Sequence, residues 1–334
     1  MSQSRLTLAL DAGAVSLPET GRIAVFVPPA DADLSALPAE RVQIIQGFKP
    51  DHDAWAARGY DVRVAPEGAF AAAVLFVPRA KDKARALLAE AVALVSGGPV
   101  IVDGAKTDGI DSLLKDCRKR AEVGAPLSKA HGKIFALSAE PAALADWAGA
   151  PKTLPEGFRT RPGVFSADAV DRGSALLADA LPAKLKGRVA DLGAGWGYIA
   201  ARALAEHPGI TELHLVEADH DALACARENV SDPRARFHWA DATQFSDGAP
   251  FDAVITNPPF HAGRAADPGL GQAFLANAAR ILGRSGTLFA VANRHLPYER
   301  VLSGLFLEVE EIGGDSGFKV IRAAKPKAQS RPRG

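Results

Sequence analysis

Cysteine is scarce. The 334 residues hold two, Cys117 and Cys225, in different halves of the chain and each inside a segment with helical periodicity. Neither has a neighbouring cysteine or a metal-ligand spacing, so neither a disulfide framework nor a zinc site is expected, and the two read as buried or semi-buried free thiols. Long apolar runs are missing as well. No stretch approaches the roughly 18–20 uncharged apolar residues that a membrane helix requires. The opening Met1-Ser2-Gln3-Ser4-Arg5 has no basic region leading into an apolar block, so a cytoplasmic protein is expected. There is no excess of charge of either sign. Lys plus Arg and Asp plus Glu number 39 each, which removes the compositional argument for nucleic acid that a strongly basic chain would carry. Local basic groups remain at Lys115, Arg118, Lys119, Arg120, Lys129 and Lys133 and in the tail 325–334. These suit either phosphate contacts or a solvated face and a disordered tail. What is present is material for a core: 48% hydrophobic and 23% charged residues fit a soluble globular chain of one large or two ordinary domains.

The first half alternates short apolar runs with amphipathic segments. Strands are expected at 23–27, 42–45, 62–64, 73–77 and 99–102, and helices at 81–95 and 108–122. Alternation of this kind gives a mostly parallel sheet covered on both faces. The first strand runs into Pro28-Pro29-Ala30 rather than closely spaced glycines, so no phosphate-cradling loop is expected there. A Pro- and charge-rich passage, 151–157, reads as a linker. Beyond it a helix is expected at 166–181, then alternating strands and helices from 189 to 291, and a strand–turn–strand close over 305–323. Two α/β halves in tandem suggest a duplication in which the second copy kept the ligand site.

The sharpest motif is Val189-Ala190-Asp191-Leu192-Gly193-Ala194-Gly195-Trp196-Gly197-Tyr198. A strand runs into Gly193, Gly195 and Gly197 and then into a helix. Glycines let the backbone turn tightly and lie against a ligand. The Gly-x-Gly-x-Gly spacing is not that of a dinucleotide loop. Asp191 would repel a pyrophosphate but can reach the ammonium of a methionine moiety. Alone, the loop would equally suit a tight structural turn. The residues downstream decide. Strand 213–216 ends in Glu217, placed to accept hydrogen bonds from ribose hydroxyls. Strand 235–239 leads to Asp241-Ala242, where a carboxylate can accept an adenine amino group. Singly, each acid suits a cap or the surface; in this order they point to S-adenosylmethionine.

Then comes Asn257-Pro258-Pro259-Phe260, directly after the apolar strand 252–256. The prolines stop the strand in a rigid extended loop. An exocyclic amine conjugated with a base ring is a poor nucleophile. The Asn257 side-chain oxygen and the Pro258 carbonyl can accept its hydrogens, and Phe260 offers a face on which a flipped base can stack. A structural Asn-Pro turn is the plain alternative.

Asp-x-Gly-x-Gly-x-Gly followed by Asn-Pro-Pro-Phe resembles class I methyltransferases that act on planar amines. The longer set is narrower: Gly163-Val164-Phe165-Ser166, Asp171, Gly173-Ser174, Asn257-Pro258-Pro259-Phe260-His261, Val291-Ala292-Asn293, Leu296-Pro297-Tyr298 and Phe318-Lys319-Val320. This run is similar to the bacterial ribosomal RNA guanine-N2 methyltransferases of the small-subunit type and their large-subunit relatives. The resemblance implies an α/β chain of two tandem Rossmann-like methyltransferase-type domains, each a mostly parallel sheet flanked by helices. Residues 1–150 would form a degenerate copy, 158–325 the catalytic domain and 326–334 a basic disordered tail. It implies S-adenosylmethionine as cofactor, ribosomal RNA or a ribosomal subunit as partner, and methyl transfer without a metal. It also places Phe165 and Asp171 near the cofactor's methionine end. Adenine N6 and a protein glutamine stay open as acceptors, as does a non-catalytic RNA-binding or ribosome-assembly protein with a vestigial cofactor pocket.

Overall fold

A computed structural model describes residues 4–328 apart from 260, 263, 264 and 267. The chain divides into two compact units, Met1–Pro151 and Lys152–Gly334.

In the first unit an 8-stranded sheet runs in the order Asp61–Arg63, Val42–Ile45, Ile23–Phe26, Ala72–Phe76, Val100–Ala105, Gly132–Ser138 and Glu122–Val123. Leu127–Lys129 also pairs with Gly132–Ser138. The pairings from Asp61–Arg63 through Val100–Ala105 are parallel, and Gly132–Ser138 runs antiparallel. Alternate residues of each strand enter opposite cores. Ala24, Phe26, Leu75 and Val102 pack with the Lys81–Val95 and Ile110–Cys117 helices. Ile23, Val25, Val74 and Ile101 pack instead with Leu6, Ala9 and Trp55. A sheet buried on both faces needs continuous apolar runs rather than alternation, which is how these strands read.

The second unit repeats this plan with a 7-stranded sheet: Ala235–Trp239, Ile210–Glu217, Gly187–Leu192, Phe251–Thr256, Leu282–Asn293, Phe318–Pro326 and Phe306–Gly314. Val189, Leu213, Leu215 and Ile255 face Leu177, Ala203 and Ala226. Ala190, Leu192, Val216 and Val254 face Leu275, Ala278 and Leu302. Each fully buried aliphatic side chain contributes roughly 1.5–3 kcal/mol, so both layers are strongly held to the sheet. From the central Gly187–Leu192 strand the chain moves outward twice, then returns to the other side of that strand as Phe251–Thr256. The crevice between these two strands at their carboxyl ends is the topological switch point, where open α/β sheets bind ligands.

Three local expectations change. The helix expected at 108–122 spans Ile110–Cys117, because Gly109 at φ 84° starts it and Glu122–Val123 leaves to join the sheet edge. The helix expected at 166–181 spans Arg172–Asp179; Ser166 lies at φ 52°, outside helical space, and Asp171 caps the first turn. The passage 151–157, expected as a linker, carries the Lys152–Thr153 strand of a hairpin with Arg159–Thr160. Leu154 and partly buried Phe158 draw it in by packing with Val164, Trp196 and Cys225. Both cysteines are free and buried, and burial pushes their thiols up to about 12 for Cys117 and about 11 for Cys225.

Candidate active site

Strand register brings the motif residues to one edge. Leu192 pairs with Val216 on one side and Thr256 on the other, and Glu217 pairs with Trp239. Asp191, Glu217, Asp241 and Asn257 therefore lie at or just past the carboxyl ends of neighbouring parallel strands. Thr256 Oγ1 donates to the Leu192 carbonyl at 2.8 Å, which ties the two central strands together where they diverge.

Gly193, Gly195 and Gly197 lie at φ 74°, 56° and 89°. The Gly193 and Ala194 amides donate to the Val216 carbonyl at 2.9 and 3.1 Å, closing the turn against the next strand. A Cβ on Gly197 would sit 3.0 Å from Val230 Cγ2 and 3.3 Å from Ala226 Cα, so the loop needs glycine there for packing as well as for φ. A Cβ on Gly195 meets no described atom within 4 Å. Gly195 thus faces the open crevice, and its amide donates to Glu217 Oε2 at 2.8 Å.

Asp191 is fully buried, and neither carboxylate oxygen has a hydrogen-bond partner among the described residues. Burial, aided by the charge of nearby Glu217, raises its pKa to about 7. Glu217 keeps part of its surface open. Burial of its carboxylate raises that group to about 7 even though the Asp219 and Gly195 amides donate to it at 2.8 Å each. Two acids beneath a glycine loop, one of them orphaned, suit a cationic and hydroxyl-bearing ligand.

Asp241 is more self-contained. Its Oδ1 accepts from the Thr243 amide at 2.8 Å and hydroxyl at 2.7 Å, and its Oδ2 from Gln244 Nε2 at 3.1 Å. Ala242 is buried, and its carbonyl accepts from Asn277 Nδ2 at 2.7 Å. Asn277 escaped the sequence reading. Its signal was a polar residue inside the apolar helix Pro268–Ile281, where it is 3% exposed. Phe165 is 61% exposed, and its carbonyl is fixed by Trp196 Nε1 from within the glycine loop at 2.9 Å.

Asn257 Nδ2 donates to Asp171 Oδ2 and to Ser174 Oγ, both at 2.9 Å. Its Oδ1 is buried with no partner among the described residues. Pro258 behind it is buried. Phe260 lies outside the described residues. Among those described, no group of His, Cys, Asp and Glu is arranged to hold a metal ion, and no helix is long and apolar enough to cross a membrane.

Comparison with known proteins agrees with this chemistry. The family model described as the methyltransferase small domain matches residues 156–322. The ribosomal RNA small subunit methyltransferase C of Shewanella loihica is 34% identical over 75% of this chain and 76% of its own. That of Pseudomonas paraeruginosa is 33% identical over 80% and 82%. The T. thermophilus 16S rRNA N2 guanine methyltransferase, solved in complex with AdoMet and guanosine, superposes with a TM-score of 0.74 at 26% identity. That match covers 94% of this chain and 91% of the other. S-adenosylmethionine, the family's methyl donor, fits the residues present, since the orphaned Asp191 carboxylate lacks the cation that its burial calls for. The chain belongs to the ribosomal RNA small subunit methyltransferase C family of class I S-adenosylmethionine-dependent methyltransferases.

Proposed function

We propose that the second unit methylates the exocyclic N2 amine of a guanine in small-subunit ribosomal RNA. When bound, S-adenosylmethionine supplies an electrophilic methyl group on sulfur. Asp191 accepts the ammonium of the methionine moiety, and Glu217 accepts the ribose hydroxyls with the lone pairs that the Gly195 and Asp219 amides leave free. Gly193, Gly195 and Gly197 let the backbone lie against the ligand. Asp241 and Ala242 border the adenine, with Asp241 sharing a carboxylate already engaged by its own turn. Phe165 covers the methionine end, held by the Trp196 bond to its carbonyl.

The observation that carries this reading is the buried Asn257 Oδ1 beside the switch-point crevice, which has no partner among the described residues. With the Pro258 carbonyl it accepts both hydrogens of the amine. This orients the nitrogen lone pair and draws density onto nitrogen in a site where positioning and hydrogen bonding supply most of the rate. Phe260 enters from the sequence alone, as a face for the base. Guanine N2 is favoured over other planar amines by the likeness to the T. thermophilus 16S rRNA N2 guanine methyltransferase, solved with guanosine, and ribosomal RNA of the small subunit by the likeness to small subunit methyltransferases.

Nucleoside mass spectrometry of small-subunit ribosomal RNA from a strain lacking the gene tests the proposal. One N2-methylguanosine is expected to vanish and to return on complementation. An unchanged level of that nucleoside overturns the assignment.

A further inference from the structure

We infer that Asp171 and Ser174 are positioning residues that lock the Asn257 amide with its oxygen toward the acceptor amine, an inference that rests on the proposed role of Asn257. A side-chain amide has two N–H donors and one acceptor oxygen. Both donors of Asn257 are committed, one to the Asp171 carboxylate and one to the Ser174 hydroxyl, at 2.9 Å each. A flipped amide would set Oδ1 against the Asp171 carboxylate, acceptor facing acceptor, and would turn two N–H groups toward an amine that itself presents N–H groups. The native orientation is therefore selected by residues that hold the amide nitrogen and leave the oxygen open to a donor.

Asp171 is itself held. Its Oδ2 accepts from the Ser174 amide at 2.8 Å as the N-cap of the Arg172–Asp179 helix, so one oxygen serves both the cap and Asn257. A Cβ on Gly173 would lie 3.1 Å from that oxygen and 3.1 Å from Phe318 Cε1, so glycine leaves room for the cap and the Phe318 ring together. The Ser174 side is 8% exposed, which keeps water from competing for the amide. A hydrogen bond to an ionised group is about twice as strong as a neutral one. The Asp171 carboxylate also polarises the amide and makes Oδ1 a better acceptor. The consequence is selectivity. A site fixed as an acceptor favours groups bearing N–H and rejects carbonyl oxygens and ring nitrogens that carry no hydrogen, whose approach would leave Oδ1 buried and unpaired.

The test uses the full-length protein, S-adenosylmethionine and a small-subunit ribosomal RNA transcript. Asp171→Ala is expected to lower kcat roughly tenfold to a hundredfold, the scale of a misplaced reacting geometry, with the cofactor Kd by calorimetry within about threefold. Asp171→Asn keeps an N-cap residue and an oxygen for Asn257 and is expected to recover most of that loss. Under single turnover in an Asn257→Ala background, Asp171→Ala is expected to add less than about twofold, because its target is gone. Wild-type kcat in Asp171→Ala, or an equal loss in both backgrounds, overturns the positioning role alone. Asn257→Ala with wild-type kcat, or a wild-type protein that methylates no RNA, overturns the functional reading beneath it.

Discussion

Asp191 sits one residue before the end of a central strand with neither oxygen partnered among the described residues, and Glu217 stands close enough to raise its pKa further. Both acids are raised to about 7, chiefly by burial. Carboxylates in an unfolded chain ionise near about 4. Between about pH 4 and 7 the native state therefore holds protons that the unfolded chain has released. Its stability falls as pH rises through that window, and the full deficit persists above it. Urea unfolding of the ligand-free protein at pH 5 and pH 8 measures this. Asp191→Asn removes one of the two carboxylates and is expected to gain stability relative to wild type, by more at pH 8 than at pH 5. A wild-type-to-variant gap equal at both pH values would refute the assignment. Asp191, Glu217 and Asn257 were legible in the sequence because parallel strands bring the residues around their carboxyl ends to one edge. Their partners were less so. Ser174 reaches Asn257 across 83 positions of chain, and nothing local marks a serine in a helix as an amide's acceptor. Asp241 was read as able to accept an adenine amino group, and no spacing announced the short-range bonds that Thr243 and Gln244 also donate to it.

The glycine loop and the helix after it divide their labour residue by residue. Gly197 is the N-cap of the Tyr198–Glu206 helix, in left-handed space and packed against the His220–Asn229 helix. Gly195 faces the crevice. Alanine at Gly197 is expected to cost roughly 1–3 kcal/mol of stability, from left-handed strain plus the clash with Val230 and Ala226. Alanine at Gly195 pays only the backbone term, about 1–2 kcal/mol, and projects its methyl into the ligand's space. It is expected to weaken cofactor binding at least about tenfold, or about 1.4 kcal/mol. Paired urea and calorimetric titrations separate the two, and equal effects of both variants on stability and affinity would refute this division. The central strands of the second sheet were legible for a physical reason, since strands buried on both faces are continuous apolar runs, although Leu282–Asn293 extends beyond the expected 286–291 at both ends. The edge strands Glu122–Val123 and Leu127–Lys129 carry no buried residue, so no hydrophobic pattern announced them. The 166–171 stretch has helical composition but lacks helical φ at Ser166, a backbone fact that periodicity does not encode.

Across the whole molecule the two units share one sheet order, and the register lets their sites be compared position by position. Phe26 pairs with Ile45 and Leu75, as Leu192 pairs with Val216 and Thr256. The Val27 amide donates to the Ile45 carbonyl at 2.8 Å, as the Gly193 amide does to Val216. On this correspondence Val25 stands where the second unit has Asp191, Val27 where it has Gly193, Gln46 where it has Glu217, and Phe76 where it has Asn257. Each replacement removes charge, chain freedom or an acceptor. The space is also filled. Gln46 Nε2 at 3.0 Å and Trp55 Nε1 at 3.1 Å both donate to the Pro28 carbonyl, and these side chains are 3% and 2% exposed. A ligand entering that crevice would have to displace a buried indole and an amide that are already hydrogen-bonded, and it would find no carboxylate for its ammonium. Calorimetry on the full-length chain is therefore expected to give one S-adenosylmethionine per chain, with Asp191→Ala abolishing the heat. Two sites per chain would mean that the first crevice opens despite Trp55, and binding that survives Asp191→Ala at wild-type affinity would overturn the role given to Asp191. Trp55→Ala removes the plug but restores no acid, so the stoichiometry is expected to stay at one even with the space cleared.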